Sequence, residues 1–194
     1  SVDPGLACGT VIPFGIHMTS AQGAWDDSFN VTVGQPAAGT PQTLLAESFD
    51  GATFPPTGWA QVDVLGTAGN WARSAVTVHP TGGGTHTGAG LAYFNSYTAS
   101  AGSSTRLYRT SGLSIPASAA SAAVAFWMYH DTGYSADADQ LEVQVSTNGT
   151  TWTVVGAAIA RYDGSTGWKQ HTVPLDAYIG RSGIQIAFLG VSYY

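Results

Sequence analysis

Residues 124–155 read VAFWMYHDTGYSADADQLEVQVSTNGTTWTVV, and their patterning decides the fold class. Val124–His130 is apolar at both parities, with Val124, Phe126 and Met128 alternating with Ala125, Trp127 and Tyr129. A run of that kind predicts a central strand covered on both faces. Asp139–Ser146 alternates strictly, Leu141, Val143 and Val145 against Gln140, Glu142, Gln144 and Ser146. That predicts a strand with one face on a core and the other in water. Asn148-Gly149 is the dipeptide of a tight type I′ turn, and Thr151–Val155 returns as a third strand carrying Trp152.

Asp139 has the parity of Leu141, Val143 and Val145, so its carboxylate starts on the core side of its strand. A buried charge is costly unless it is paired or bound to a metal. The sequence therefore requires a partner for Asp139.

Composition supports an all-β reading. Only 9% of the 194 residues are charged, Lys169 is the single lysine, and there are 25 glycines and six tryptophans. Few charges with abundant Thr, Val, Tyr and Gly fit a domain of many strands and turns. The formal net charge is −6 with no basic cluster, so a nucleic-acid role is not expected. No apolar run has the length of a membrane-spanning helix. No signal peptide is present in the sequence, and a start at Ser1 without Met is compatible with a leader already removed. Cys8, the only cysteine, reads either as an inert buried thiol or as one with a partner beyond the chain.

Taken in order, Thr10–Val33 reads as two strands joined by a turn at Gln22-Gly23, with Phe29, Val31 and Val33 inward. Two strands alone are not stable in water. Residues 1–36 are accordingly assigned to an upstream Ig-like β-sandwich or β-hairpin, with 37–43 as a Pro/Gly/Ala linker. The main domain spans 44–194. In TLLAESFD, Leu45, Glu47 and Phe49 share a face, which predicts that Glu47 follows Phe49 inward as a second core-side carboxylate. Trp59 and Trp71 are expected as anchors over the sandwich edge. AGLAYFNSY, STRLYRTSGLSIP, GWKQHTVPLDAYIG and GIQIAFLGVSYY supply further strands. The expected fold is an antiparallel jelly-roll β-sandwich preceded by a short piece of another β unit.

Several segments carry a family resemblance. Glu47-Ser48-Phe49-Asp50, Pro56-Thr57-Gly58-Trp59 and Asn70-Trp71 come first. Asp139–Ser146, Asn148-Gly149 and Trp152 follow, then Trp168, Val173, Leu175, Tyr178 and Gly180. Together these resemble the MAM-like jelly rolls of the bacterial cleaved-adhesin and "choice-of-anchor J" groups, over about residues 44–194. The resemblance implies a secreted or cell-surface, non-catalytic module for adhesion or accessory binding, covalently linked to neighbouring domains of a larger peptidase or adhesin. It implies a final aromatic-rich strand with two aspartates after Phe188-Leu189-Gly190, which does not occur before Tyr194. It also implies calcium tying the first strand to the Asp139 strand, through Glu47 and Asp139 with Asp50 and Asp137 as helpers and carbonyls near Asn70. Calcium suits such a set because it takes six to eight hard oxygen ligands. The other reading pairs Glu47 and Asp139 with Arg73 or Arg106, or leaves them in water at strand ends.

The partner is a protein or glycan surface. The second functional reading is a carbohydrate-binding module, with Trp59, Trp71 and Tyr97 as stacking residues and Tyr93, Tyr108, Tyr129 and Tyr134 as further candidates for the platform. Ser146–Trp152 resembles a sialidase Asp box but is one residue short and unrepeated, so it reads as a structural turn. His79 and His86 lack a third ligand at zinc spacing, no G-x-S-x-G elbow marks a nucleophile, and the N-x-[ST] matches at Asn30 and Asn148 read as strand and turn residues.

Overall fold

The computed structural model describes residues 6–7, 9–33, 40–66, 71–77 and 83–193. Cys8, Asn70, His79 and residues 37–39 of the expected linker lie outside them. The chain divides into two compact units, Ser1–Gln42 and Thr43–Tyr194.

The first unit is a hairpin of β1 (Val11–Ser20) and β2 (Gly23–Thr32), in antiparallel register from Val11↔Thr32 to Ser20↔Gly23. The turn is therefore Ala21-Gln22, one residue earlier than the sequence reading. Phe14 stacks on Phe29 at 5.3 Å. Phe29 and Val31, expected inward, are exposed along with Ile16, Met18 and Trp25.

The second unit holds β3 (Trp59–Leu65), β4 (Trp71–Ser74), β5 (Leu91–Phe94), β6 (Ser104–Arg109), β7 (Ala123–His130), β8 (Gln140–Ser146), β9 (Thr153–Ala160), β10 (Gly167–Pro174) and β11 (Gln185–Val191). There is no α-helix among the described residues, only 3-10 turns at Ser96–Thr98 and Asp176–Tyr178. No helix there is long and apolar enough to cross a membrane. All named strand pairings are antiparallel, and the unit is an all-β sandwich.

One layer is a continuous five-stranded sheet in the order β3-β6-β11-β8-β9. The alternation of β8 works as read: Leu141, Val143 and Val145 are buried. Ile184, just before β11, and Ile186 on it are buried beside Val145, while Phe188 lies opposite Val143 and Leu107. The outer face of β8 departs from expectation, because Gln144 and Ser146 are buried too. Arg106 donates to Gln144 Oε1 at 2.8 Å and lies 4.8 Å over the Trp152 ring, so that face is covered by side chains.

Trp152 reaches this position from a longer loop than the predicted tight turn. Gly149 alone of the Asn148-Gly149 pair has positive φ, at +76°. Asn148 Oδ1 accepts from the backbone N–H of Thr150 and Thr151, and Ser146 Oγ from that of Gly149. Side-chain acceptors therefore shape the connection, and β9 starts at Thr153 and runs on to Ala160.

The facing layer is split into two pairs, β4–β5 and β7–β10, that share no ladder. Each pair has its own seat on the large sheet. Phe94 of β5 lies over Gly190, where a Cβ would run into its ring, and Phe126 of β7 meets Phe188 edge-on at 5.1 Å. Among the described residues the expected central strand, Val124–His130, is thus paired with β10 alone. Its inner parity holds, with Phe126 and Met128 on the core around Leu107 and Leu141. Its outer parity does not: Ala125 and Trp127 are exposed.

Candidate functional site

Between the two pairs of the split layer runs an open groove of about 1120 Å³, contained within the second unit. Leu107, Leu141, Phe126 and Phe188 line its depth, and β5 and β7 lend residues of successive parity to its walls. An apolar floor with polar and aromatic residues at the rim is the usual form of a binding cleft.

The rim carries three exposed rings: Trp127 at 44%, Tyr97 at 47% and Tyr134 at 65%. Trp127 stands on the outer face of β7 opposite Gln170 of β10, next to Ala125 and its partner Thr172. His86 stacks on it at 3.9 Å and meets Trp168 edge-on. Trp168 is oriented in turn by Tyr129 at 5.5 Å and by donating its indole N–H to Gly84 O at 3.1 Å. Trp127 is therefore a braced ring among small and polar neighbours. Sequence reading missed it by counting its parity as a second buried face; the Trp168-x-Gln170-x-Thr172 alternation on the partner strand carried the signal.

Of the rings put first from sequence, Trp59, Trp71 and Tyr97, only Tyr97 is exposed. Trp59 and Trp71 are 7% and 8% exposed and belong to the core around Leu107 and Leu141. Trp71 donates its indole N–H to Thr105 O at 2.9 Å, and Trp59 packs between Phe49 and Phe188. Neither presents a ring to solvent.

The four acidic residues separate. Asp139 is 6% exposed, as its parity requires, and both its oxygens are engaged. Oδ1 accepts from the Tyr193 backbone N–H at 2.7 Å, and Oδ2 from Ser96 Oγ at 2.8 Å and Arg161 Nε at 3.3 Å. The partner is thus Arg161, and neither Arg73 nor Arg106. Glu47 is exposed, accepting from the Phe49 backbone N–H at 2.8 Å. No strand forms over Thr43–Asp50, and Phe49 adopts φ +59°. This left-handed residue breaks the alternation that would have carried Glu47 inward with Phe49.

Asp50 accepts from the backbone N–H groups of Ala89 and Gly90, while Arg73 donates to the carbonyls of Phe49, Asp50 and Ala89. The Ala89 bond, with help from Ser48, holds the Asp50 carboxyl below the usual carboxylate range. Asp50 therefore staples two loops together. Asp137, half-buried, lines the groove with Glu47 and Asp139, whereas Asp50 does not. Among the described residues no group of three or more His, Cys, Asp or Glu is placed to hold a metal ion.

Behind the acidic end lies a histidine pair. His130 is 1% exposed; its Nδ1–H donates to Arg161 O at 3.1 Å and its Nε2 faces His171 Nε2 at 2.9 Å. Burial, then the neighbouring His130, holds the His171 imidazole below its ordinary value of 6.5. The carboxyl of Asp163 is pushed well below the carboxylate range by Lys169, Ser165 and His130.

The sequence matches the family described as Cleaved Adhesin Domain over residues 42–179. The chain belongs to the cleaved adhesin domain family. The match falls almost wholly within the second unit, so the groove is a feature of this adhesin domain. A solved structure titled "Structural basis for the promiscuous specificity of the carbohydrate-binding modules from the beta-sandwich super family" is similar in fold, with a TM-score of 0.50 and 14% identity. The likeness covers 95% of this chain and 68% of that one. No curated protein is similar enough in sequence to be matched.

Proposed function

We propose that residues 43–194 form a non-catalytic extracellular accessory module that holds a glycan chain in the groove between β4–β5 and β7–β10. The observation that carries the reading is the set of exposed rings, Trp127, Tyr97 and Tyr134, on the rim of one cleft. Soluble domains rarely leave several large rings exposed around one depression without a use for them. The C–H faces of pyranose rings stack on such side chains, while Gln140, Asn95 and Asp137 at the same groove supply donors and acceptors for hydroxyls. Membership of an adhesin family supports the surface location, and the carbohydrate-binding neighbour is in keeping with this use of the fold.

A glycan array probed with the purified chain tests the proposal. Binding to a restricted set of glycans is expected, with affinity reduced about tenfold or more, roughly 1.4 kcal/mol, in Trp127→Ala and in Tyr134→Ala. An array without signal, together with saturable capture of a protein ligand that survives both substitutions, overturns it in favour of a protein-contact module.

A further inference from the structure

Arg161 occupies the end of β9 where the loop Asp131–Asp139 closes over the groove. Its guanidinium is surrounded by oxygen. Nη1 donates to Asp131 Oδ1 at 2.7 Å and to Gly133 O at 3.0 Å, Nη2 to Tyr134 O at 2.8 Å, and Nε to Asp139 Oδ2 at 3.3 Å. Two carboxylates from different ends of the loop and two successive backbone carbonyls thus converge on one cation. The carboxylate side chains are 8% exposed and the Arg161 side chain 18%. Ser96 Oγ, bonded to the same Asp139 oxygen, stands beside them.

Carboxylates, successive loop carbonyls and a hydroxyl are the donor types that a hard divalent cation recruits. Here the planar fork of an arginine satisfies them, with one donor directed at each acceptor. We infer that Arg161 takes the place of a divalent cation at this donor set, which shares only Asp139 with the calcium set expected between the first strand and the Asp139 strand, so that the Asp131–Asp139 loop of this chain is ordered without metal. The loop shows what the cation does. Tyr134 has φ +51°, a left-handed conformation unfavourable for a residue with a Cβ. The bonds from Arg161 to Gly133 O and Tyr134 O hold that turn and present the Tyr134 ring at the groove.

Three consequences follow for metal. The resident cation is covalent and always charged, so calcium gains nothing by binding the folded protein. A native state that does not bind an ion is not stabilised by it. Removal of the guanidinium leaves two nearly buried carboxylates facing two carbonyls, which is a cation cage without its cation.

The test is thermal melting of the whole chain and of Arg161→Ala, each in excess calcium and in excess chelator, with magnesium as a control for ionic strength. For the natural chain the expected melting temperature is the same in calcium and in chelator. For Arg161→Ala it is several degrees lower in chelator and recovers in calcium but not in magnesium. Arg161→Lys, keeping the charge but losing the fork, melts between the two and is indifferent to calcium. If Arg161→Ala does not fold, terbium binding to the natural chain, read by sensitised emission from the neighbouring Tyr134 and Tyr193, decides; none is expected. A natural chain whose melting temperature rises in calcium, or which binds terbium stoichiometrically, overturns the inference. So does a folded Arg161→Ala variant that ignores calcium.

Discussion

In the five-stranded layer β6, β11 and β8 each have a ladder on both edges, whereas in the layer facing it β7 is paired with β10 on one edge and open to the groove on the other. The residues are not very different: β7 is at least as apolar as β8. The difference lies in what covers the outer parity. On β8 it is sealed by Arg106, Gln144 and Trp152, which bond and stack among themselves. On β7 it meets Trp168, Gln170 and Thr172 of β10, with His86 stacked on Trp127, and the Trp127 ring stays exposed. One layer stores the stability of the domain and the other displays its aromatic rings. Substitutions at equivalent depth in the two layers therefore have opposite consequences for stability and for binding.

The largest effect is expected in the continuous layer. Leu107, wholly buried at the centre of its cluster, loses contacts on every side when truncated. Leu107→Ala is predicted to destabilise the domain by about 2–5 kcal/mol, measured by denaturant unfolding. A loss below 1 kcal/mol would mean that the split layer carries the core instead. Next comes Gly190→Ala, whose added methyl group meets the Phe94 ring at the seat of β5. Overpacking of this kind costs roughly 1–3 kcal/mol, and the near-ultraviolet circular dichroism of the aromatic cluster should change with it.

A smaller effect is expected on acidification. The native state keeps the His171 imidazole below its ordinary value of 6.5, so the unfolded chain binds the proton more readily. Its contribution to stability is complete above pH 6.5, declines as the pH falls through that value, and levels off below the folded value. The His130–His171 contact at 2.9 Å points the same way, since both facing Nε2 atoms cannot carry protons. Melting temperature between pH 7.5 and pH 5 should fall in the natural chain and fall less in His171→Gln. Equal slopes would place the proton elsewhere. Least affected should be a chain lacking residues 1–42: the second unit is compact by itself, and its melting temperature should be unchanged. Collapse on deletion would show that the hairpin completes the sandwich.

Much of the continuous layer was legible, because strict alternation has one consistent reading. Leu141, Val143 and Val145 could face only the core. The split layer was harder to read, since Val124–His130 is apolar at both parities and periodicity cannot tell a doubly covered strand from one that displays a tryptophan. The candidate site was legible in part. Parity placed Asp139 inward and required a partner for it. The identity of that partner, Arg161, lay 22 residues away in sequence at the end of a strand expected to stop at Val155. Glu47 was misplaced because the rule that moved it inward assumes a strand, and the left-handed Phe49 removes that assumption.

The aromatic rim is tested most directly by a titration of the strongest glycan hit into isotopically labelled protein, following the tryptophan indole N–H resonances. Trp127 and Trp168 should shift in a saturable manner, while Trp25, Trp59 and Trp152 stay in place. Trp127→Ala should abolish the Trp168 shift while leaving stability within about 0.5 kcal/mol of the natural chain, as for a surface substitution. Saturable binding that leaves Trp127 and Trp168 unmoved, or that persists in Trp127→Ala, would contradict the assignment of this groove as the binding site.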